Sequence, residues 1–479
     1  MKDRKTLLIV AAVGIGTFMS ALDSSVVNLA LPLIKNQFGV TMSIVEWIVT
    51  AYLLVVSSLL LTYGRLSDLY GQKRFYLTGF IIFVIGSALC GLSSNIGMLV
   101  AFRVVQALGA GMLFSTGPAI ITNAVPPENR GRALSAVAVA VALGLSSGPV
   151  IGGLLATYVG WPSIFYINVP IGIAGIVMVL RFVPDIAKKT EKVRFDVPGS
   201  ILVFAGLFLL LLPLSISGDN KSPVLFFPLL VAGLLLIAVF IVFELRQKNP
   251  MLNVRLFQNR VFAASNAAAL LVYIAQFILI FLLQFYLQTL RGFPASYAGL
   301  LYLPMPLASL CVAPLAGILS DKVDSRFISS SGALVMACGL FLLSFLNTAT
   351  PIAFIVISLA VTGLGFGLFN TPNNSAIMGN VPPQNRGTAS GTLATMRNIG
   401  MALGVAISGA LFSMWSSSAT AALTAAGQTG AELTAHAFVS ALHLTYLAAA
   451  AIATLATIAS LIKGRVMTEK EKAQTGAGM

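Results

Sequence analysis

Apolar residues gather into runs of about 20 that recur along the whole chain, separated by short polar or charged segments. Fourteen runs stand out, near 7–32, 44–64, 75–93, 96–117, 132–157, 164–183, 198–216, 223–243, 261–288, 297–317, 327–346, 351–370, 387–414 and 440–463. A run of that length spans the hydrocarbon core of a bilayer as an α-helix. No water is present there to bond backbone N–H and C=O groups, so each segment must satisfy its own, and helices are predicted. The pattern predicts an all-α integral membrane protein with 14 transmembrane helices.

The polar breaks carry a repeat. PPENRG (126–131) returns as PPQNRG (382–387), 256 residues later. At that offset Gly131, Ala133, Gly144, Gly148 and Gly153 fall on Gly387, Ala389, Gly400, Gly404 and Gly409. Upstream, GRLSD (64–68) is echoed by GILSD (317–321). Two matching pairs in the same order, at nearly the same offset, indicate a duplicated half. Residues 184–260 hold a charged linker, two apolar runs and a second charged linker. Without that block the offset leaves about 180 residues, the length of six helices with short loops. The predicted organisation is 6+2+6: an N-terminal six-helix bundle over 1–183, an inserted two-helix hairpin with its linkers over 184–260, and a C-terminal six-helix bundle with a tail over 261–479. Halves that point the same way, related by a pseudo-twofold axis along the membrane normal, form one recognised transporter architecture, with its substrate site near the midplane.

Composition agrees with burial in lipid. The chain is 57% hydrophobic, only 9% charged, and has a mean hydropathy of +0.93; soluble chains carry about 25% charged residues. A net charge of +14 raises the question of nucleic acid. The distribution answers it: with both termini inside, cytoplasmic segments hold 24 of the 29 Lys and Arg, and outside loops hold only Lys35, Lys221 and Arg291. That asymmetry is a topology signal, and no nucleic-acid partner is expected. The N-terminal run follows MKDRK but is long and carries Asp23, so it is expected to be a retained first helix. Cys90, Cys311 and Cys338 lie in separate apolar runs, with no metal spacing or disulfide framework, and are expected to be small packed residues. No nucleotide-binding motif, cofactor or metal site is found. His436 and His443 have no clustered acid or cysteine, which argues against a membrane enzyme, and a sensor with an appended soluble domain is not expected.

Few ionisable residues lie within the apolar runs, and such residues are functional candidates by default. Asp23 sits slightly outward of the middle of the first run, where it is a candidate to load and release a proton. Arg103 lies at a similar depth in the fourth run, and Arg stays charged. A pair is geometrically possible, in which movement of Arg103 would govern the proton on Asp23. Glu46 opens the second run beside Trp47, either as a second proton site or as a solvated acid at a helix start. Arg397 lies mid-run with no acid of the second half as an obvious partner; it contacts either backbone and Asn groups or a substrate. Ala140, Gly144, Gly148 and Gly152 form a stripe of small residues at a spacing of four, with Pro149 to bend the helix, which allows a neighbouring helix to approach closely. PPxNRG reads as a helix start with Asn as its cap.

Several stretches resemble a known family. LDSSVVNLALP (22–32), GRLSDLYGQKR (64–74), FRVVQALGAG (102–111), GLSSGPVIGG (144–153), FYINVPIG (165–172) and FLLQFYLQTLRGFPASYAGLLYLP (281–304) together resemble the fourteen-helix drug:proton antiporter branch of the major facilitator superfamily. The likeness covers nearly the whole chain. Two departures are Trp161-Pro162-Ser163 in place of the family's W-R-W, and GILSDKVDSR, which lacks the second Gly of the cytoplasmic motif. The resemblance implies a major facilitator fold and a monomer in the plasma (inner) membrane of a bacterium. It implies multidrug efflux by proton antiport and alternating access, hence antibiotic resistance, with protons and a small-molecule substrate as partners. It implies that Arg103 takes part in proton coupling, with Asp23 and Glu46 the acid candidates by position. In GRLSDLYGQKR, Gly64 and Gly71 permit a tight turn and Asp68 and Arg74 can form a charge network across helix ends, which makes them candidates for conformational gating together with Gly144, Gly148, Pro149, Gly152 and Asp321. Candidate substrate contacts are polar, aromatic or adaptable residues in apolar runs: Phe18, Met19, Tyr52, Asn266, Tyr273, Gln276, Gln284, Tyr286, Asn370, Asn373 and Arg397, with Asn374 beside them. Aromatic faces and methionine suit amphipathic cations. An exporter dedicated to one metabolite, such as an amino acid, peptide or siderophore, would use the same fold.

Overall fold

The computed structural model describes residues 4–185, 196–216, 223–247, 254–320, 323–381 and 386–462. Among them every regular element is helical. The first set is α1 (Arg4–Phe38), α2 (Met42–Val45), α3 (Trp47–Tyr70), α4 (Gln72–Gly91), α5 (Ile96–Ala124), α6 (Pro127–Tyr158), α7 (Ser163–Tyr166) and α8 (Asn168–Phe182). The inserted pair is α9 (Val197–Ile216) and α10 (Pro223–Arg246). There follow α11 (Arg260–Phe285), α12 (Ala295–Tyr302), α13 (Pro304–Ser320), α14 (Ser325–Leu343), α15 (Ile352–Gly379), α16 (Arg386–Ala425) and α17 (Gly430–Ile462). A 3-10 turn at Val254–Gln258 precedes α11, and a π-helical turn at Tyr286–Leu290 extends it.

Among the described residues thirteen stretches are long and apolar enough to cross a membrane, and α9 adds a shorter apolar stretch over Val197–Pro213. Each of the fourteen runs therefore falls on helix. Three runs are built from two helices, breaking at Glu46, at Ile167 and before Pro304. Proline lacks the N–H and disfavours helix in the residue before it, which accounts for the last break.

Two local readings need correction. The first PPxNRG does start a helix, but Pro126 is the cap, Pro127 is the first helical residue, and Asn129 lies inside the first turn, its N–H bonded to Pro126 O at 2.9 Å. Proline suits that position because its missing N–H would have no intrahelical partner there anyway. The second copy lies largely outside the described residues. In GRLSDLYGQKR, Gly71 makes the turn, at φ +90°, whereas Gly64 is an ordinary residue within α3. Of the cysteines, Cys90 is buried as expected, but Cys311 and Cys338 are exposed on the outer faces of their helices.

The chain clusters into two compact units. The first comprises Met1–Leu212, Phe227–Met251 and Phe293–Leu300; the second comprises Pro213–Phe226, Leu252–Gly292 and Leu301–Met479. In the first, α6 lies along α1, and a Cβ on Gly144 would stand 2.6 Å from Phe18 O. The same addition at Gly148 would overlap Ser25, and at Gly152 it would stand 2.7 Å from Val26. The predicted stripe is thus a helix–helix seam, closed by Ser25 Oγ donating to Gly144 O at 3.3 Å. In the second unit α16 lies along α11 in the same register: a Cβ on Gly400 would stand 2.8 Å from Leu270 O, and one on Gly404 2.6 Å from Ile274 O. The α4–α5 contact, where Gly86 leaves room for the backbone of Gln106, recurs as the α14–α15 contact of Gly339 with Thr362. The repeated glycines are therefore places where two backbones meet. The inserted pair packs with the first unit, through Thr62 and Ser200 hydroxyls at 2.8 Å and the Trp47 and Phe208 rings at 6.2 Å.

Candidate functional site

One polar cluster lies inside the first unit. Its centre is Asp23 on α1, with no exposed surface. Arg103 on α5 donates from Nη1 to Asp23 Oδ2 at 2.6 Å and is itself 1% exposed. Gln106, one turn further along α5, donates from Nε2 to Asp23 Oδ1 at 2.8 Å, and Asn168 at the start of α8 donates to the same oxygen at 2.9 Å. The second row completes the bonding. Gln106 Oε1 accepts from Arg103 Nη1 at 2.6 Å, and Gln106 Nε2 also reaches Ser87 Oγ on α4 at 2.7 Å. Arg103 Nε donates to the Ile48 carbonyl on α3 at 3.0 Å. The guanidinium lies over the Tyr52 ring at 4.0 Å and near Phe165 at 5.8 Å.

The helix seams explain how these groups meet. Gly86 lets α4 come against Gln106, and the α1–α6 seam fixes α1. Ser20 and Ser24 in the same stretch of α1 turn back on their own helix, to Gly16 O and Ser20 O, both at 2.9 Å, whereas Asp23 bonds outward to α5 and α8. Burying two charges costs several kcal/mol per ion, and only close geometry with further hydrogen bonds offsets it. Here both carboxylate oxygens are occupied. The two charges hold each other in place, so neutralising Asp23 would remove the attraction that keeps Arg103 there.

The pairing of Asp23 with Arg103 was legible from depth alone. Gln106, Asn168 and Ser87 were not singled out, although a polar residue three after an intramembrane Arg, and a lone Asn in FYINVPIG, were the available signals. Tyr52 belongs to this cluster as the aromatic floor under Arg103. Glu46 is fully buried at the α2–α3 break, so the solvated helix-start reading does not hold. The chain doubles back through the four-residue α2 there, which turns the residue inward.

The remaining candidates scatter. Met19 is buried against Gly172 of α8, while half-buried Phe18 offers its carbonyl to the α6 seam. In the second unit Asn266 bonds Phe262 O on its own helix, and Asn373 donates to Ser265 O across α11–α15, both at full burial. Tyr286 is held at the end of α11, donating to Asn347 O at 2.8 Å and accepting from Arg291 at 3.1 Å. Gln284 is buried and Asn370 half-buried, with no side-chain hydrogen bond described for either. Tyr273 of α11 and Arg397 of α16 come together, Arg397 within hydrogen-bonding reach of the Tyr273 hydroxyl, while Gln276 lies one turn along α11 from Tyr273. Of the gating candidates, Gly144, Gly148, Pro149 and Gly152 lie along α6, and Arg74 is exposed. The Asp68 side chain and Asp321 lie outside the described residues. Lys73 rather than Arg74 bridges helices, donating to Leu180 O at the end of α8.

Many apolar spans, with an ion pair buried among those of the first unit, fit a multi-pass membrane protein that moves solutes. The Major Facilitator Superfamily model matches residues 13–405, and the chain belongs to that family. It is 37% identical over 415 residues to the riboflavin transporter RibZ of Clostridioides difficile, covering 86% of this chain and 89% of the relative. It is 32% identical to multidrug resistance protein 3 of Bacillus subtilis over 413 residues, covering 85% and 80%. It is also 32% identical to multidrug resistance protein Stp of Mycobacterium tuberculosis over 416 residues, covering 86% and 77%. A bacterial homologue of the human lysosomal transporter Spinster, solved inward-facing and unoccupied, shares the fold at a TM-score of 0.68 and 18% identity, covering 98% of this chain and 100% of that one. A D-xylose–proton symporter does so at 0.64 and 16%, covering 98% of each.

Proposed function

We propose that this protein is a proton-coupled antiporter of the fourteen-helix drug:proton branch. It exports amphipathic small molecules, drugs and antiseptics among them, by alternating access across a bacterial inner membrane, with both termini cytoplasmic. The observation that carries the proposal is the fully buried Asp23–Arg103 pair, in which loss of the carboxylate's charge would free the arginine. Each elementary charge returned inward is worth about 2.3 kcal/mol per 100 mV of membrane potential. The relatives named multidrug resistance proteins support a broad substrate range. Asp23 and Arg103 are the coupling residues of this proposal. Glu46, now a buried acid, is a second proton site, and the α1–α6 seam is the moving joint.

The cationic preference rests on aromatic faces and methionine. In the first unit, however, Arg103 already covers the Tyr52 face, and Met19 is packed away. A second reading therefore stands beside the first: an exporter dedicated to one metabolite of neutral or anionic character. The relative named as a riboflavin transporter, at 37% identity, favours it.

The test is reconstitution into liposomes with an internal pH dye and an imposed proton gradient. Chlorhexidine, ethidium and riboflavin are added singly to wild type and to Asp23→Asn. Proton movement driven by a substrate in wild type and lost in the variant supports antiport coupled at α1. Coupling that survives in Asp23→Asn removes Asp23 from the mechanism. A response to riboflavin alone moves the dedicated exporter to the front.

A further inference from the structure

The duplicated seams allow the two units to be compared position by position. The Gly144–Phe18 contact corresponds to Gly400–Leu270, which carries Asp23 onto Ala275. The Gly86–Gln106 contact corresponds to Gly339–Thr362, which carries Arg103 onto Leu359. The ion cluster of the first unit thus has apolar or small counterparts in the second. The reverse holds for Arg397. Its counterpart is Val141, and those of Tyr273 and Gln276 are Ala21 and Ser24. Arg103 and Arg397 thus each lie at a position where the other unit has no charge.

The two arginines are also differently satisfied. Arg103 has its carboxylate, a carbonyl and an aromatic face. No carboxylate among the described residues pairs with Arg397, and its Nε is buried without a hydrogen-bond partner. One turn along α11 from Tyr273, Gln276 Oε1 is likewise buried and unpartnered. The Tyr273 hydroxyl faces Arg397, and the Tyr273 ring stands edge-on to Phe366 of α15 at 5.6 Å. Arg397 is half-buried with its Nε out of contact with solvent, and a cation midway along an apolar helix calls for a partner of opposite sign. The guanidinium presents a planar fork that matches two carboxylate oxygens, and the neighbouring rings suit an apolar body.

We infer that Arg397, Tyr273 and Gln276 form a recognition site in the second unit for the carboxylate of an amphipathic transported molecule. The inference rests on the chain being a small-molecule transporter, and it is independent of where protons couple. It narrows the substrate class, since a molecule carrying only positive charge would be repelled at this position.

A matched pair of probes tests it. Fluorescein carries a free carboxylate on a xanthene ring system; rhodamine 123 carries a positive charge on the same rings, with its carboxyl esterified. Binding of each to the full-length protein in nanodiscs is followed by fluorescence anisotropy. The expected result is saturable fluorescein binding by wild type, weakened at least about tenfold in Arg397→Gln, as for one charge-assisted hydrogen bond, with rhodamine 123 binding unchanged or tighter. Arg397→Lys keeps the charge but loses the fork, and restores part of the fluorescein affinity. Absence of saturable fluorescein binding by wild type, or equal effects of Arg397→Gln on both probes, overturns the site. If Arg397→Gln does not fold, Gln276→Leu and Tyr273→Phe carry the test: a loss of fluorescein affinity alone supports the site, and no change in either overturns it. Asp23→Asn separates this site from the coupling proposal. Fluorescein affinity is expected to persist there, and a variant that binds fluorescein and still moves protons would remove Asp23 from the mechanism while leaving the Arg397 site standing.

Discussion

Asp23 accepts from three donors on two other helices, and those donors are unequal. Arg103 neutralises its charge, whereas Gln106 and Asn168 orient it. Arg103→Ala would leave a buried carboxylate without its counter-charge, at a cost of about 3–5 kcal/mol, and a drop in thermal stability in detergent should report it. In Asp23→Asn with Arg103→Ala both charges are gone, and the double variant should recover part of that loss. Gln106→Leu removes neutral donors, and about 1–3 kcal/mol is expected for the acceptors left unsatisfied. If substrate-driven proton flux in Gln106→Leu matched wild type at full stability, the amide would have no orienting role. Gln106 and Asn168 escaped the sequence reading because an amide in an apolar run looks the same whether it bonds its own helix, as Asn266 does, or a carboxylate 145 residues away, as Asn168 does.

Helices in lipid gain no hydrophobic energy by meeting one another, so backbone proximity and van der Waals packing must hold them together. The Gly144–Gly148–Gly152 seam on α1, and its counterpart at Gly400 and Gly404 on α11, serve that end. Gly148→Val would force α6 off Ser25 and Val26. Substrate transport should fall to background, with a destabilisation of about 1–3 kcal/mol from overpacking. Gly404→Val should do the same to the second unit. By contrast, Gly64→Ala should be tolerated, because Gly64 is helical and has nothing within 4 Å of the added methyl group. Transport assays on the three variants separate packing glycines from a permissive one. The spacing of four revealed the stripe in advance; which helix filled it was set by the tertiary fold.

On the scale of the whole molecule, the distribution of basic residues predicts orientation. Impermeant maleimide applied to intact cells should label Ala426→Cys in the loop between α16 and α17, and should reach Thr122→Cys at the other end of α5 only after permeabilisation, in a background lacking Cys90, Cys311 and Cys338. The opposite pattern would invert the topology. Duplication gives the molecule two similar scaffolds, and divergence has placed a closed ion cluster in one and an open arginine in the other. Proton coupling in the first unit and substrate recognition in the second would then be separable by mutation. Asp23→Asn should abolish coupling but keep binding, and Arg397→Gln should lower binding of carboxylates.

The sequence by itself exposed the apolar membrane-spanning runs, the duplicated motifs and the family. Each of these follows from the length and spacing of apolar runs or from short local motifs, and the bilayer leaves the backbone few other solutions. It also exposed Asp23 and Arg103, since a charge in an apolar run is conspicuous wherever it ends up. The tertiary structure alone decided what each polar group bonds. It buried Glu46 in the turn before α3, made Tyr52 a floor for Arg103 instead of a free aromatic face, and gathered Gln106 and Asn168 onto one carboxylate. Those outcomes depend on which helix faces which, and on side-chain reach across seams a few ångströms wide. A linear pattern with one apolar signature for lipid and for neighbouring helix alike does not encode that information.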